Sequence, residues 1–222
     1  MKLLLDRLSS DFLPLFLSGM AVNFEIAVIA IAAGLALGLL LALARLAGGV
    51  MAGAAASAIG LMRAAPTFVV MFFLLNAVPR DATLFGEPFA LSGIMTVALS
   101  LVPYSAAYIA DSGVEALRQY RGGSLPGALL FLPNVTRAFF VLVMSSSAGA
   151  AIGVMEGITI ILRQAEQLPT LGDRLVLFAI GIVLFGIPLQ AGFAVMGFVQ
   201  RRLGRIVARR TDVMKAADIK IE

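Results

Sequence analysis

Few side chains in this sequence can do chemistry, and two of them, Tyr104 and Tyr108, share one face of a predicted helix. They are four residues apart, which makes them neighbours along a helix surface. Their hydroxyls suit hydrogen bonds to a polar solute, but tyrosines at a helix end are also typical of an interfacial aromatic belt. We expect Asp111, which follows, to cap the helix or to pair with Arg118 or Arg121. Histidine and cysteine are absent, which excludes imidazole bases, thiol nucleophiles and the usual zinc or haem ligands.

Three other features place polar groups beside apolar sequence. Glu25 stands near the start of an apolar run, where it either takes part in function or anchors the helix at the membrane surface. Arg63 is either a positive charge at the cytoplasmic surface or a residue that takes part in coupling or gating. The serine run at 145–147 lacks bulky side chains, so a neighbouring helix or a substrate can approach the backbone there.

The elements that carry these residues are predicted to be membrane helices. The chain has 222 residues, of which 60% are hydrophobic and 14% charged, and its mean hydropathy is +0.99. A soluble domain of this size would lack the residues for a polar surface. Apolar runs of about 20 residues recur, and each is long enough to cross a ~30 Å hydrocarbon layer. We therefore predict an all-α membrane protein with about five transmembrane helices.

The predicted organisation is an interfacial segment at 1–18, a transmembrane domain at 19–200 and a basic tail at 201–222. A short amphipathic segment is expected at 155–165. Proline lacks an amide donor and restricts the preceding residue, so we expect hinges at Pro66, Pro103 and Pro188. The five expected spans are 19–46, 48–78, 91–111, 125–152 and 174–199.

The basic residues indicate an orientation. The net charge is +4 and the isoelectric point is near 10.0, but Lys and Arg cluster at the ends of apolar runs, as the positive-inside rule describes. With the N-terminus outside, eleven of them lie on the cytoplasmic side and five on the outer side, with Arg137 unassigned. We expect N-out, C-in topology. A nucleic-acid partner is not expected because no soluble basic face is available, whereas the basic tail suits anionic membrane lipid.

Several short motifs follow one another in a fixed order along the chain. They are Arg63-Ala64-Ala65-Pro66, Ala106-Ala107-Tyr108-Ile109-Ala110-Asp111, Leu125-Pro126, Ser146-Ser147, and Ile152-Gly153-Val154 with Glu156. In this order and spacing, from about residue 13 to residue 205, the chain resembles the permease subunits of polar amino acid ABC importers. The family's corresponding motifs are Arg-Gly-Thr-Pro, Ala-Ala-Tyr-x-Ala-Glu, Leu-Pro, Thr-Ser and Ile-Gly-Val-x-Glu.

The sequence also departs from that family. Asp111 stands where the family has glutamate, Val114 where it has arginine, and Met144 or Ser145 where it has lysine. The largest departure lies between Gly123 and Leu125, which only Ser124 separates. In the family a longer cytoplasmic segment, the EAA loop, forms there the coupling helix that docks on the ATPase.

The resemblance implies a type I (MetI-like) permease bundle in a bacterial inner membrane that moves polar amino acids. ATP hydrolysis would then belong to a separate ATP-binding subunit, and the partners would include a second permease chain and an extracytoplasmic substrate-binding protein. We expect this chain to be no enzyme and to hold no metal or cofactor. An alternative is a family-derived structural or regulatory subunit that assembles with a complete permease without coupling to ATP.

The candidate residues fall into two groups beside the three hinge prolines. Those expected along a substrate path or gate are Glu25, Thr67, Tyr104, Ser145, Ser146, Ser147 and Glu156, the last because the family has an outer gate helix there. Those expected to make coupling or cytoplasmic contacts are Arg63, Asp111, Arg118, Arg121 and Gly123.

Overall fold

A computed structural model describes residues 12–78, 83–84, 87–88 and 91–218, with side chains at 12–78, 91–199 and 201–202. The first part contains the helices α1 (Leu13–Leu46), α2 (Gly49–Ala64) and α3 (Thr67–Ala77), then the two-residue antiparallel strands β1 (Thr83–Leu84) and β2 (Glu87–Pro88). The second part contains α4 (Gly93–Arg121), α5 (Leu125–Leu129), α6 (Phe131–Ser145), a 3-10 helix (Ser146–Ile152), α7 (Gly157–Glu166) and α8 (Leu171–Asp218).

Four stretches of the described chain are long and apolar enough to cross a membrane: Leu13–Leu46, Gly93–Arg121, Leu125–Ile152 and Leu171–Val199. The fifth expected span is the pair α2 and α3, which bends by 94° at its break. The expected helix break at Pro66 is present, since Ala65 and Pro66 are both extended between the two helices, while its role as a hinge stays a prediction. A proline without an amide hydrogen disfavours helix at the residue before it.

Several predicted boundaries differ from those of the structure. Helix α1 begins at Leu13, six residues before the expected start of the first span, so it takes in the end of the interfacial segment expected at 1–18. Residues 1–11 of that segment lie outside the described residues. Helix α4 extends ten residues beyond Asp111, and α8 continues into the basic tail as far as Asp218. Both α4 and α8 run without interruption through Pro103 and Pro188, so kinks at these two prolines stay predictions.

The axis of the bundle is a close pair formed by α1 and α4. A Cβ atom added at Gly38 would lie 2.6 Å from the carbonyl oxygen of Ala106, so only glycine permits this approach. Ser105 Oγ donates a hydrogen bond of 3.0 Å to the carbonyl oxygen of Ala30 across the same contact. The small residues Gly34 and Gly38 thus allow the backbones of the two helices to come close together. Contacts advance together along both helices, which are therefore parallel: Gly34 against Ser105, Gly38 against Ile109, and Gly113 against Ala42.

The parallel arrangement explains why the bent pair counts as one span. Ile59 of α2 packs against Ala107 and Ala110, towards the C-terminal end of α4. Met71 of α3 packs with Val97, in the N-terminal part of α4. The pair α2–α3 thus returns the chain from the end of α1 to the beginning of α4, which is the path required of a crossing.

One apolar core joins the spans. It contains Ile26 from α1, Met71 from α3, Leu101 from α4 and Leu142 from α6, and all four are at most 1% exposed. Many other large apolar side chains lie on the outer surface, as Leu40, at 65% exposed, illustrates. A surface of this kind is stable against lipid tails, which are as apolar as the side chains that face them.

Candidate functional site

A buried polar centre joins α1, the 3-10 helix and α7. Asn23, Ser146 and Glu156 are each 0% exposed. The amide nitrogen of Asn23 donates to Ser146 Oγ at 2.8 Å and to Glu156 Oε2 at 3.0 Å, and its amide oxygen accepts from the backbone nitrogen of Gly157 at 3.0 Å. Asn23 thus connects two segments that lie more than a hundred residues further along the chain.

Glu156 occupies the N-cap position of α7. Its Oε1 accepts from the backbone nitrogen and the hydroxyl of Thr159 at 2.8 and 3.0 Å, and its Oε2 accepts from the backbone nitrogen of Ile158 at 3.0 Å. With the Asn23 bond, both oxygens are filled by donors, an arrangement that suits a carboxylate at the positive end of a helix. No cation contacts it among the described residues. The centre is a buried carboxyl group whose two oxygens are both hydrogen-bonded to neutral donors.

The backbone before Glu156 turns sharply to bring its side chain inward. The 3-10 helix ends at Ile152 and is followed by Gly153, whose φ of +79° lies in the left-handed region that favours glycine. Val154 then packs against Gly149 and Gly93. This turn, together with the N-cap, places the carboxylate against α1.

A second cluster forms around Asp111, where α1, α2 and α4 meet. Asp111 Oδ1 accepts from Arg45 at 3.1 Å, and Asp111 Oδ2 pairs with Arg63. The side chains are 40%, 36% and 62% exposed for Asp111, Arg45 and Arg63. One carboxylate is shared by two guanidinium groups, so the cluster carries a net positive charge.

The expected partners of Asp111 were wrong. We predicted pairing with Arg118 or Arg121 in a loop, whereas α4 continues as a helix through both arginines. Seven and ten residues along a helix correspond to about 10 and 15 Å of rise, beyond the reach of the two side chains. The parallel packing of α1 brings Arg45 to the same level instead.

The three serines of the predicted path face different surroundings. Ser146 lies in the buried centre, Ser145 is partly exposed, and Ser147 lines a cavity of about 420 Å³ between α6, α7 and α8. The other walls of this cavity are apolar, among them Met144, Phe178 and Ile182. Of the three serines, only Ser146 belongs to the same hydrogen-bond network as Glu156, because Asn23 donates to both side chains.

The remaining path candidates lie apart from the buried centre. Thr67 is the first residue of α3, directly after the break at Pro66. Glu25 is exposed on the outward face of α1. Tyr104 and Tyr108 do share a face, with ring centroids 6.3 Å apart and ring planes 29° from parallel. Tyr104 is 37% exposed, so this pair lies on an open face of α4.

The coupling candidates at the end of α4 form a compact turn. Gly123 has φ +80°, and the backbone nitrogen of Ser124 donates to the carbonyl oxygen of Gln119 at 2.9 Å. Arg118 and Arg121 are exposed on the last turns of α4. Five residues of helix, α5, follow directly after Ser124, where the resembling family has a longer coupling segment.

Sequence reasoning left two important residues out of the candidate set. These two residues are Asn23 in α1 and Arg45 near the end of the same helix. An asparagine within an otherwise apolar run is itself a signal, because an amide inside a membrane helix needs hydrogen-bond partners. Arg45 had no comparable signal, since its partner depends on how α1 packs against α4.

No family model matches this sequence, and no curated protein matches it. The fold is similar to that of a chain in a crystal structure described as an amino acid ABC transporter with histidines. The TM-score is 0.64 and the identity 19%, over 86% of this chain and 95% of the solved chain. At this identity the likeness shows the fold alone. Apart from the two short strands, the described part of the chain is a multi-pass helical bundle, which confirms the expected type I (MetI-like) permease fold.

Proposed function

We propose that this chain is the transmembrane subunit of an ABC importer that moves polar amino acids across a bacterial inner membrane. The observation that supports this most is the fold likeness to an amino acid ABC transporter, which extends over nearly the whole of both chains. Residues of the permease-like motifs also have defined structural roles. Pro66 breaks a span, Asp111 organises three helices, and Glu156 caps α7.

The proposed division of labour places ATP hydrolysis on a separate ATP-binding subunit. A second permease chain completes the path, and an extracytoplasmic binding protein delivers the substrate. The N-terminus lies outside and the C-terminus in the cytoplasm, which places Arg45, Arg63 and Asp111 at the cytoplasmic end of the bundle. The buried centre around Glu156 then lies towards the outer end, where α7 contributes to an outer gate.

Transport in this scheme requires α7 to move relative to α1. The contacts that hold α7 are the bonds from Asn23 to Glu156 and Gly157, and the close approach of Gly19 to the backbone of Glu156. A few hydrogen bonds at one place form a discrete contact that can be made or broken as a unit, which suits a gate with two states.

The direct test is purification of the tagged chain from native membranes in mild detergent, with identification of every co-purifying protein. We expect an ATP-binding subunit and a permease chain at stoichiometric amounts. A matched control is an unrelated five-span membrane protein with the same tag. Recovery of the chain without any ATP-binding subunit, under conditions that preserve a known ABC importer, would contradict the proposal.

A second candidate function is a non-coupling subunit that supports a complete permease. The specific observation that favours it is the short connection between α4 and α6, which holds only Gly122–Ser124, the five-residue α5 and Leu130. The exposed Arg118 and Arg121 can form surface ion pairs with an ATPase, but such pairs contribute only about 0–1 kcal/mol each.

A pull-down of the ATP-binding subunit separates the two candidates. If the short connection does not couple, this chain alone binds the ATPase weakly, and firm binding needs either a second permease chain with a full loop or such a loop grafted after Gly123. Tight binding and stimulated ATPase activity with this chain as the sole permease would exclude the non-coupling subunit. That result would assign coupling to the tip formed by α4 and α5.

A further inference from the structure

The open face formed by α4 and α6 carries three side chains that can bind an anion together: Tyr104, Tyr108 and Arg137. The two phenol rings stack at 6.3 Å. Tyr104 is 37% exposed and Tyr108 is partly exposed, so both side chains are open to a ligand. They lie one helical turn apart on α4, which directs both side chains to the same side.

Arg137 of α6 lies level with this tyrosine pair. Helix α6 runs antiparallel to α4, because Phe131 packs near Gly113 and Gly149 near Val97. Arg137 is exposed, and its guanidinium lies within electrostatic range of the Tyr104 phenol. Two phenol hydroxyls and a guanidinium group are thus brought together from two spans.

Arg137 has no acidic partner among the described residues. The acid on this part of α4, Asp111, is already paired with Arg45 and Arg63. A cation inside a membrane span is costly unless a counter-charge or water satisfies it, and such residues commonly mark ligand or ion sites. A negative group supplied by a ligand would provide the missing partner.

We propose that Tyr104, Tyr108 and Arg137 bind the carboxylate of a transported amino acid. The guanidinium fork matches the two oxygens of a carboxylate, and each phenol adds one O–H donor. The inference rests on the proposed transport function. A lipid phosphate shares the same oxyanion chemistry, so the experiment separates the two sources.

The composition of the chain provides a direct probe of this site. Tryptophan is absent and there are three tyrosines, so a Tyr120→Phe variant contains only the two tyrosines of the site. Its tyrosine fluorescence is measured in nanodiscs of zwitterionic lipid during titration with the common L-amino acids and with their carboxamides, which lack the carboxylate. We expect a saturable change with at least one amino acid and binding at least tenfold weaker for its carboxamide.

Substitutions at Arg137 test the role of its charge in the same Tyr120→Phe background. Arg137→Gln should abolish the fluorescence response, and Arg137→Lys should retain part of it. The matched control is Arg163→Gln on α7, which removes an exposed arginine elsewhere and should leave the response unchanged. No response to any amino acid, or an equal response in the Arg137→Gln variant, would overturn the inference. A response to anionic phosphatidylglycerol in the nanodisc without one to free amino acids would overturn it in favour of a lipid phosphate.

Failure of this site is distinguishable from failure of the proposed function. Co-purification of the ATP-binding subunit is scored on the same wild-type and Arg137→Gln preparations. A complex that forms and transports with an unchanged KM in the Arg137→Gln variant would show that the carboxylate binds elsewhere. Carboxylate binding without any co-purifying ATP-binding subunit would contradict the proposed function and leave the binding site supported.

Discussion

At the scale of single residues, burial decides which polar contact contributes most to the stability of the fold. Asn23 and Glu156 are fully buried and hydrogen-bonded, so a lost partner leaves a polar group with neither protein nor water. Such a group costs about 1–3 kcal/mol, and more when it is charged. Asp111 and its arginines are partly exposed, and an exposed ion pair contributes about 0–1 kcal/mol.

We therefore predict that Asn23→Ala lowers the free energy of unfolding by about 2 kcal/mol or more, since it removes three hydrogen bonds around Glu156. The measurement is thermal unfolding of the purified chain in detergent. The matched control is Asn76→Ala on α3, because Asn76 is exposed and bonds only to the carbonyl oxygen of Phe72. Equal stability of the two variants would show that the buried centre contributes little.

Asp111→Asn should have a smaller effect on stability than Asn23→Ala, below about 1 kcal/mol, because water solvates the two arginines it leaves behind. The comparison variant is Glu115→Gln, four residues further along α4 and exposed. Thermal unfolding in detergent measures the stability of both variants. A loss at Asp111 larger than that at Asn23 would mean that the ion-pair cluster, not the buried centre, holds the helices together.

At the scale of helices, the sequence was sufficient to predict that the membrane helices exist and which residues they contain. It was not sufficient to predict which helix faces pack together. Hydropathy predicted the spans, and Pro66 predicted the broken one, because both signals are local. The predicted partners of Asp111 were wrong because the helix continues past residue 111 and carries Arg118 away from it. The Asn23–Glu156 contact joins residues 133 positions apart, and no periodicity within either segment indicates which faces meet.

The contact between α1 and α4 is the element on which the bundle most depends. We predict that Gly38→Leu prevents correct folding, because the first added carbon would already lie 2.6–2.7 Å from Ala106 and Ile109. The control is Gly60→Leu in α2, where an added carbon meets nothing within 4 Å. Size-exclusion profiles and yields of the two variants measure the effect. A monodisperse Gly38→Leu protein at wild-type yield would refute the close packing.

At the scale of the whole molecule, the structure predicts which loops share a side of the membrane. Because α1 and α4 are parallel and α2–α3 returns the chain between them, reporters fused after Leu84 and after Gly123 should lie on opposite sides. With the positive-inside orientation, fusions after Leu84, Gly123 and Arg205 should report outside, inside and inside. Gly123 and Leu84 on the same side would mean that the bent pair re-enters the membrane without crossing it.

The most direct measurement of the central claim is ATP-driven uptake by a reconstituted complex. Proteoliposomes would contain this chain with the ATP-binding subunit and any permease chain that co-purify with it, and radiolabelled amino acids would be supplied outside with the binding protein. We predict uptake that requires enclosed ATP and is lost when this chain is omitted or carries Asn23→Ala. Full ATP-driven uptake by the remaining subunits without this chain would contradict the assignment of this chain as a transmembrane subunit of the importer.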